Sequence, residues 1–425
     1  MAIRNWILKL MISFLTINFL IGLLLGCASK NNIDIPTSQP LPHPRLMSMQ
    51  SLSLQEKDNI TYFGQSKKYY KNGILVVVLS GAPYDIGYSR GALLRQEIRK
   101  WVREFLYLEK KKSLNMPYKN NPLNMRAMEL EEFIPPEYRE ELQGLSAGSG
   151  ITYEILLAMN ILGPISIDMA CTSVVVRSPD ASLLRSRNLD LYNLPTLPAG
   201  LYFYKPTNGY AFVSISHLPG FIGTRTAFNE SGFNIGAHDI SETSRQYKKG
   251  QPEFIMRRKA AQYAGSVKQA GQILKAAQRN GSKMWLVADS KTAGIYEFNS
   301  DELAYYEMKD DYLILTNHTP ALNTGKPFES SLDRYNEAKT FLTGHQDEMN
   351  LDKLIDLNRG SEICWIKYPE VTNLHSAIFR ADTLDFWIAA GPPPATRGRW
   401  VGFNLKKELY GNGNDPKPHI VPAAK

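Results

Sequence analysis

From residue 171 onward the chain is written in short apolar alternations of four to six residues, separated by turn residues, and this texture most constrains its fold. The runs fall at 171–176, 182–187, 201–204, 211–216, 232–237, 284–288, 294–298 and 312–316, with a closing pair at 375–380 and 386–390. Helical spacing interrupts them at 253–264 and 266–278, and again at 331–342 and 351–358. Upstream, 73–80 (Gly-Ile-Leu-Val-Val-Val-Leu-Ser) reads as a buried strand and Gly81-Ala82-Pro83-Tyr84 as a turn. Helices then follow over 85–109, from Pro135-Pro136-Glu137, and from Thr152 to about residue 160. Strands grouped with strands and helices with helices predict an α+β fold of antiparallel sheets covered by helices. No internal repeat is present.

Composition narrows the function classes. With 43% hydrophobic and 21% charged residues among 425, the chain is an ordinary globular protein. Three cysteines cannot build a disulfide framework, and none has zinc-ligand spacing, so neither a metal nor another cofactor is expected. The +8 net charge is spread over short clusters such as Lys110-Lys111-Lys112 and Arg257-Arg258-Lys259. That is a mildly basic surface and not a nucleic-acid groove.

The first residues carry a separate message. A cationic start, an apolar stretch of roughly 15 residues and the ending Leu24-Leu25-Gly26-Cys27 describe a secretory signal, too short to span a membrane. Leu-Leu-Gly-Cys resembles the bacterial lipoprotein signal, which implies cleavage after residue 26 and a lipid on Cys27. Removing Arg4 and Lys9 would leave a mature chain at +8 − 2 = +6. The expected organisation is a signal peptide at 1–26, a lipid-anchored tether at 27–72, an N-terminal strand and helices at 73–170, and a catalytic region at 171–425. The proline-rich polar composition of 28–60 cannot bury enough apolar area to order itself. Ala28 and Ser29 offer no acidic retention signal, so the expected location is the cell envelope, at the outer membrane facing the periplasm.

Four short pieces carry the chemistry. Cys171-Thr172-Ser173 begins a strand, and Arg187-Asn188-Leu189-Asp190 ends the next after a turn at Ser178-Pro179-Asp180. In such a hairpin Cys171 and Arg187 lie at the same end of adjacent strands, and a guanidinium beside a thiol favours thiolate. Thr316-Asn317-His318 follows a strand and Arg334 opens a helix. Taken singly, a lone cysteine is more often a small buried hydrophobe, and the other pieces are ordinary strand ends and caps. Cys364, in the apolar run Ile363-Cys364-Trp365-Ile366, reads as core; His238, His318 and His375 read as structural or substrate-lining.

In this order, and joined by Asn229-Glu230-Ser231-Gly232-Phe233, the pieces resemble the cysteine-type N-terminal nucleophile hydrolases. Within them the chain is most similar to the acyl-CoA:isopenicillin N (6-aminopenicillanic acid) acyltransferases, and more distantly to choloylglycine hydrolases and acid ceramidases. Gly81-Ala82-Pro83-Tyr84-Asp85-Ile86-Gly87-Tyr88…Gly91 and Glu141-Leu142-Gln143-Gly144-Leu145-Ser146-Ala147-Gly148 extend the likeness upstream, so that it covers about residues 73–405. The resemblance implies a four-layer αββα sandwich and self-cleavage of the Ala170–Cys171 bond into two fragments that stay associated. It also implies a thioester on Cys171 during attack on a small N-acyl amide. In that scheme the freed amine of Cys171 is the base. Arg187 assists the thiolate and the substrate carbonyl, Asp190 orients the amine, Asn317 donates to the oxyanion, and Arg334 orients Asn317 and Asp190 or meets the leaving group. His238-Asp239 falls where relatives carry a polar substrate-site residue. A papain-like enzyme with a histidine base and a ligand-binding lipoprotein remain as rivals; papain-type sequence around the cysteine is absent. Substrate choice rests with loops such as 193–199 and 239–251.

Overall fold

The computed structural model describes residues 33–112, 122–162, 169–192, 198–240, 248–318, 322, 330–364, 371–411 and 419–424. The expected signal peptide and Cys27 lie outside these residues, as do 193–197 and 241–247 of the two loops.

Among the described residues two sheets form. The first takes β1 (Leu54–Lys57), β2 (Ile60–Phe63), β3 (Ser66–Lys71) and β4 (Ile74–Gly81), and then β7 (Gly200–Pro206), β8 (Phe212–Ser216), β9 (Thr226–Asn229) and β10 (Asn234–His238). It ends with β11 (Lys283–Ala288), β12 (Ala293–Phe298) and β13 (Leu303–Glu307). The second runs β14 (Tyr312–Leu315), β5 (Met169–Arg177), β6 (Leu183–Tyr192), β15 (Val371–Arg380), β16 (Asp385–Ala389), β17 (Trp400–Asn404) and β18 (Ile420–Val421). Every pairing is antiparallel except β4 with β7.

Side-chain alternation stacks the layers. Val76, Phe203 and Val213 of the first sheet meet Phe379, Phe386 and Phe403 of the second in one core, and Val175 and Leu313 meet Leu286 and Ile295 in another. The opposite faces are covered by helices. Glu253–Tyr263, Val267–Ala276 and the N-terminal helices pack on the first sheet, while Ser331–Gly344 and Leu351–Arg359 pack on the second. The result is the four-layer αββα sandwich.

The upstream glycine pattern now has a cause. Helix Pro83–Leu93 crosses helix Pro136–Ser149 at backbone contact: a Cβ at Gly87 would overlap the Glu141 carbonyl oxygen, and one at Gly144 the Tyr84 carbonyl oxygen.

Three expectations change. The tether stops short of residue 72, because 54–71 form β1–β3. β1 is exposed on both faces, and backbone pairing of β1 to β2, β2 to β3 and β3 to β4 supplies the order; only Phe63 and Ser66 are buried in the three strands, so no apolar run marks them. The Arg187-Asn188-Leu189-Asp190 motif lies inside β6, which continues to Tyr192. The helix over 85–109 is two helices, broken at Leu94.

Candidate active site

Strand period two sorts the β5–β6 hairpin. Cys171 pairs with Leu189, Ser173 with Arg187 and Ala170 with Asp190, so Cys171 and Arg187 are diagonal neighbours on the face toward the first sheet. Arg187 Nη2 donates to Cys171 Sγ at 3.3 Å and to the Ala237 carbonyl at 2.6 Å; Nη1 donates to the Arg225 carbonyl at 2.9 Å and to Thr226 Oγ1. Both side chains are fully buried. A guanidinium fits there because β10 carries glycine at position 236, where a Cβ would overlap Arg185 Nη2 and crowd Arg187 Nε.

The backbone of Cys171 is held on both sides. Its N–H donates to Asn317 Oδ1 at 2.8 Å, and its carbonyl accepts from Arg334 Nη1 at 2.6 Å. Arg334 Nη2 also donates to Asn317 Oδ1 at 2.8 Å, while Asn317 Nδ2 donates to the Asp239 carbonyl at 2.8 Å. Two donors at the oxygen and a carbonyl at the nitrogen fix the amide orientation. Asn317 therefore presents its oxygen to Cys171, where the sequence expectation gave it a donor's task. Ser331 Oγ accepts from the Asn317 N–H at 2.8 Å and completes the mount.

Asp190 lies on the opposite face of β6 from Cys171. Its Oδ1 accepts from Asn373 Nδ2 at 2.8 Å, and its buried Oδ2 has no hydrogen-bond partner among the described residues. Burial raises its pKa to about 7 against the opposing pull of Asn373, Arg334 and Arg187. Arg334 reaches Asn317 through Nη2, and its pull on Asp190 is through charge.

His238 and Asp239 are buried, each at most 1% exposed. His238 Nδ1 donates to the Thr316 carbonyl at 3.0 Å, which leaves Nε2 to accept from Ser173 Oγ at 2.8 Å. Asp239 is ion-paired with Lys283 and meets the site through its carbonyl. In the intact chain both serve the protein's own contacts. Burial, and then nearby arginines, hold His238 and His375 neutral, and burial lowers the half-buried His318 as well. No histidine nitrogen is hydrogen-bonded to Sγ among the described residues. Cys364 is buried, and burial pushes its thiol up to about 12.

Sequence reading missed Thr226, Asn373 and Gly236. The first two carry no local signal: Asn373 and His375 meet opposite faces of β6 only because the register slips between them, pairing Asn373 with Asp190 and His375 with Leu189. Gly236, a glycine inside a strand, is a sign of close approach that could have been read.

A buried cysteine on an inward strand of an αββα sandwich, mounted by arginine and asparagine, is the arrangement of cysteine-type N-terminal nucleophile enzymes. Residues 176–394, more than half of the chain, match the model of the acyl-coenzyme A:6-aminopenicillanic acid acyl-transferase family, and the chain belongs to that family. The match begins downstream of Cys171 and includes Arg187, Asp190, Asn317 and Arg334.

Among curated relatives, an uncharacterized protein of Archaeoglobus fulgidus is 25% identical over 417 residues, covering 82% of this chain and 65% of its own. Protein dcd1B of Dictyostelium discoideum is 27% identical over 236 residues, covering 48% and 46%. The chain thus spans less than two thirds of the length of these relatives. Two mutant structures of the conjugated bile acid hydrolase of Clostridium perfringens are similar at 11% identity, with TM-scores of 0.44 and 0.45, over 60% of this chain and 98% of theirs.

Proposed function

We propose that the chain matures by cutting its own Ala170–Cys171 bond and then acts as a cysteine amidohydrolase or N-acyltransferase on linear N-acyl amides. In maturation, Sγ attacks the Ala170 carbonyl carbon, the C–N bond breaks, and the nitrogen takes a proton. Water then hydrolyses the resulting thioester, leaving a carboxylate on Ala170 and a free α-amine and thiol on Cys171. In turnover that amine, with an ordinary pKa of about 7.7–8.0, accepts the thiol proton. The thiolate attacks the substrate carbonyl, the amine product leaves with a proton, and water or an acceptor amine resolves the thioester.

One observation carries the reading: the nitrogen and the sulfur of Cys171 are each already held, by Asn317 Oδ1 and by Arg187 Nη2. Asn317 and Arg334 would keep the new amine in place, and the unpartnered Asp190 Oδ2 is an acceptor for a charge that appears on cleavage. A histidine base lacks support, since no imidazole reaches Sγ. Rapid quenching during turnover of an N-acyl anilide should yield the acyl group as an adduct on Cys171; an adduct on any other residue, or hydrolysis surviving in Cys171→Ala, contradicts the mechanism.

The reading extends to location. Lipidated at Cys27 after loss of 1–26, the protein would be tethered to a bacterial envelope membrane, at the outer membrane facing the periplasm, with fragments 27–170 and 171–425 held together by the shared core. No helix among the described residues is long and apolar enough to cross a membrane. Cys27→Ser should leave the membrane fraction; its retention there with residues 1–26 attached would mean an uncleaved anchor.

A further inference from the structure

The residues upstream of Cys171 do more than cover the first sheet. Between β8 and β9 the chain makes a nine-residue loop, 217–225, and every residue of it is buried. Loops ordinarily run over the surface, because a buried backbone must find a partner for each N–H and C=O. Here four of those groups are met by two side chains from before the Ala170–Cys171 bond. Arg90, fully buried, donates from Nε to the Pro219 carbonyl at 2.6 Å and from Nη2 to the Leu218 carbonyl at 3.3 Å. Asn160, 1% exposed, donates from Nδ2 to the Gly220 carbonyl at 3.0 Å and accepts from the Ile222 N–H on Oδ1 at 2.8 Å. The Ile222 carbonyl accepts from Arg258 Nη1 at 3.2 Å, and Arg258 is ion-paired in turn with the upstream Glu141 at 3.1 Å. Trp101 closes over the same turn: a Cβ at Gly220 would lie 2.6 Å from the indole Cζ3.

The far end of this loop belongs to the site. Arg187 Nη1 has its two acceptors there, the Arg225 carbonyl and Thr226 Oγ1, while Nη2 of the same guanidinium donates to Cys171 Sγ and to the Ala237 carbonyl. A guanidinium is a rigid planar fork, so the place where Nη1 is held decides where Nη2 points. A displaced loop therefore turns the fork away from the sulfur. The route from Arg90 and Asn160 to Sγ passes through one loop and one side chain, and it crosses from one expected fragment to the other.

We propose that Arg90 and Asn160 are positioning residues for Cys171: they set the 217–225 loop, the loop sets Arg187, and the upstream fragment remains part of the catalytic apparatus after the cut. The inference rests on the reading of Cys171 as the nucleophile and adds residues to it. Neither side chain touches Sγ, so each acts through Arg187.

Self-cleavage of the full chain reads the Arg187–Sγ geometry without any substrate. Cutting at Ala170–Cys171 is followed by intact mass after a pulse of synthesis, for wild type, Arg90→Gln and the milder Asn160→Ser. Each folded variant should be cut at least about tenfold more slowly, and once cut should turn over an N-acyl anilide with kcat lowered by a similar factor and KM within about threefold. Arg90→Lys keeps a cation for one of the two carbonyls and should recover part of the rate. Arg95→Gln calibrates a merely structural effect. Arg95 donates to the Gly148 carbonyl at 2.8 Å, wholly within the upstream part, so its loss should lower Tm while cutting proceeds at the wild-type rate. If Arg90→Gln does not fold, Asn160→Ser decides. Folded variants cut and turning over like wild type, or losses in all variants, Arg95→Gln included, that follow Tm alone, would overturn the proposal and leave the mechanism standing. A wild-type chain that is never cut would overturn the mechanism and this inference with it.

Discussion

The two faces of the β5–β6 hairpin lie one residue apart in sequence and differ in almost everything that governs a titratable group. Toward the first sheet point Cys171, Ser173, Arg185 and Arg187; toward the helices of the second sheet's outer side point Thr172, Asn188 and Asp190. Both faces are buried. On the inner face a guanidinium donates to the thiol. On the other face Cys364 has Asp190 as its strongest charged neighbour after burial, and its thiol is driven up to about 12. Burial is the larger cause of that rise and the Asp190 carboxylate adds to it, whereas the neighbour that touches Cys171 is a hydrogen-bond donor of opposite sign.

Exchanging or removing the thiols is the strongest way to break this comparison. Cys171→Ala should abolish both self-cleavage and turnover, while Cys364→Ala should leave kcat/KM within about threefold, because a small buried apolar side chain replaces it with little loss of volume. Comparable losses in the two variants would erase the distinction between the faces. Gly236→Ala comes next. A methyl group there must push Arg185 and Arg187 away, and a misplacement of about 1 Å at the nucleophile can cost about 10²-fold in turnover; a variant that is folded and fully active would show that the Arg187–Sγ contact is dispensable. Asn317→Ala should also lose about 10²-fold, by releasing Cys171 N and one donor of Arg334.

Much of this contrast was legible in the sequence, and the limits have physical causes. The positions of Cys171, Arg187, Asp190, Asn317 and Arg334 could be singled out because their residue types recur in order. The face each occupies follows from strand parity, but only once the register is known, and the register depends on a turn at 178–182 and on the slip beside Leu374. Which atom of Asn317 meets Cys171 depends on Arg334 and Asp239, neighbours 17 and 78 residues away. β1–β3 were hidden because they bury only Phe63 and Ser66 and so carry no apolar run, and β9 because four buried residues show no alternation.

Smaller effects sharpen the comparison. His238→Ala should cost at most about tenfold, since both ring nitrogens serve the clamp to Ser173 and Thr316; removal of a true general base typically costs about 10²–10⁴, and a loss of that size in a processed, folded variant would reinstate a histidine mechanism.

A last effect is on stability and not on turnover. The folded pKa of Asp190, about 7, lies above the ordinary carboxylate value, so its neutral form stabilises the intact chain at acid pH, and that contribution is lost as pH rises toward and through about 7. Cys171→Ala protein, kept as precursor, should thus resist urea better at pH near 5 than near 8 on account of this group, by at most about 3 kcal/mol. Adding Asp190→Asn should flatten that difference. A slope unchanged by Asp190→Asn would mean that other groups set it.

The central claim is that Cys171 acts as an N-terminal residue. Intact-mass and N-terminal analysis of purified wild-type protein, with Cys171→Ala prepared alongside, tests it most directly. The account predicts a wild-type fragment beginning at Cys171 and ending at Lys425, copurifying with its upstream partner, and a Cys171→Ala chain that stays whole. A fully active wild-type chain with the Ala170–Cys171 bond intact, or a Cys171→Ala chain cut at the same bond, would contradict it.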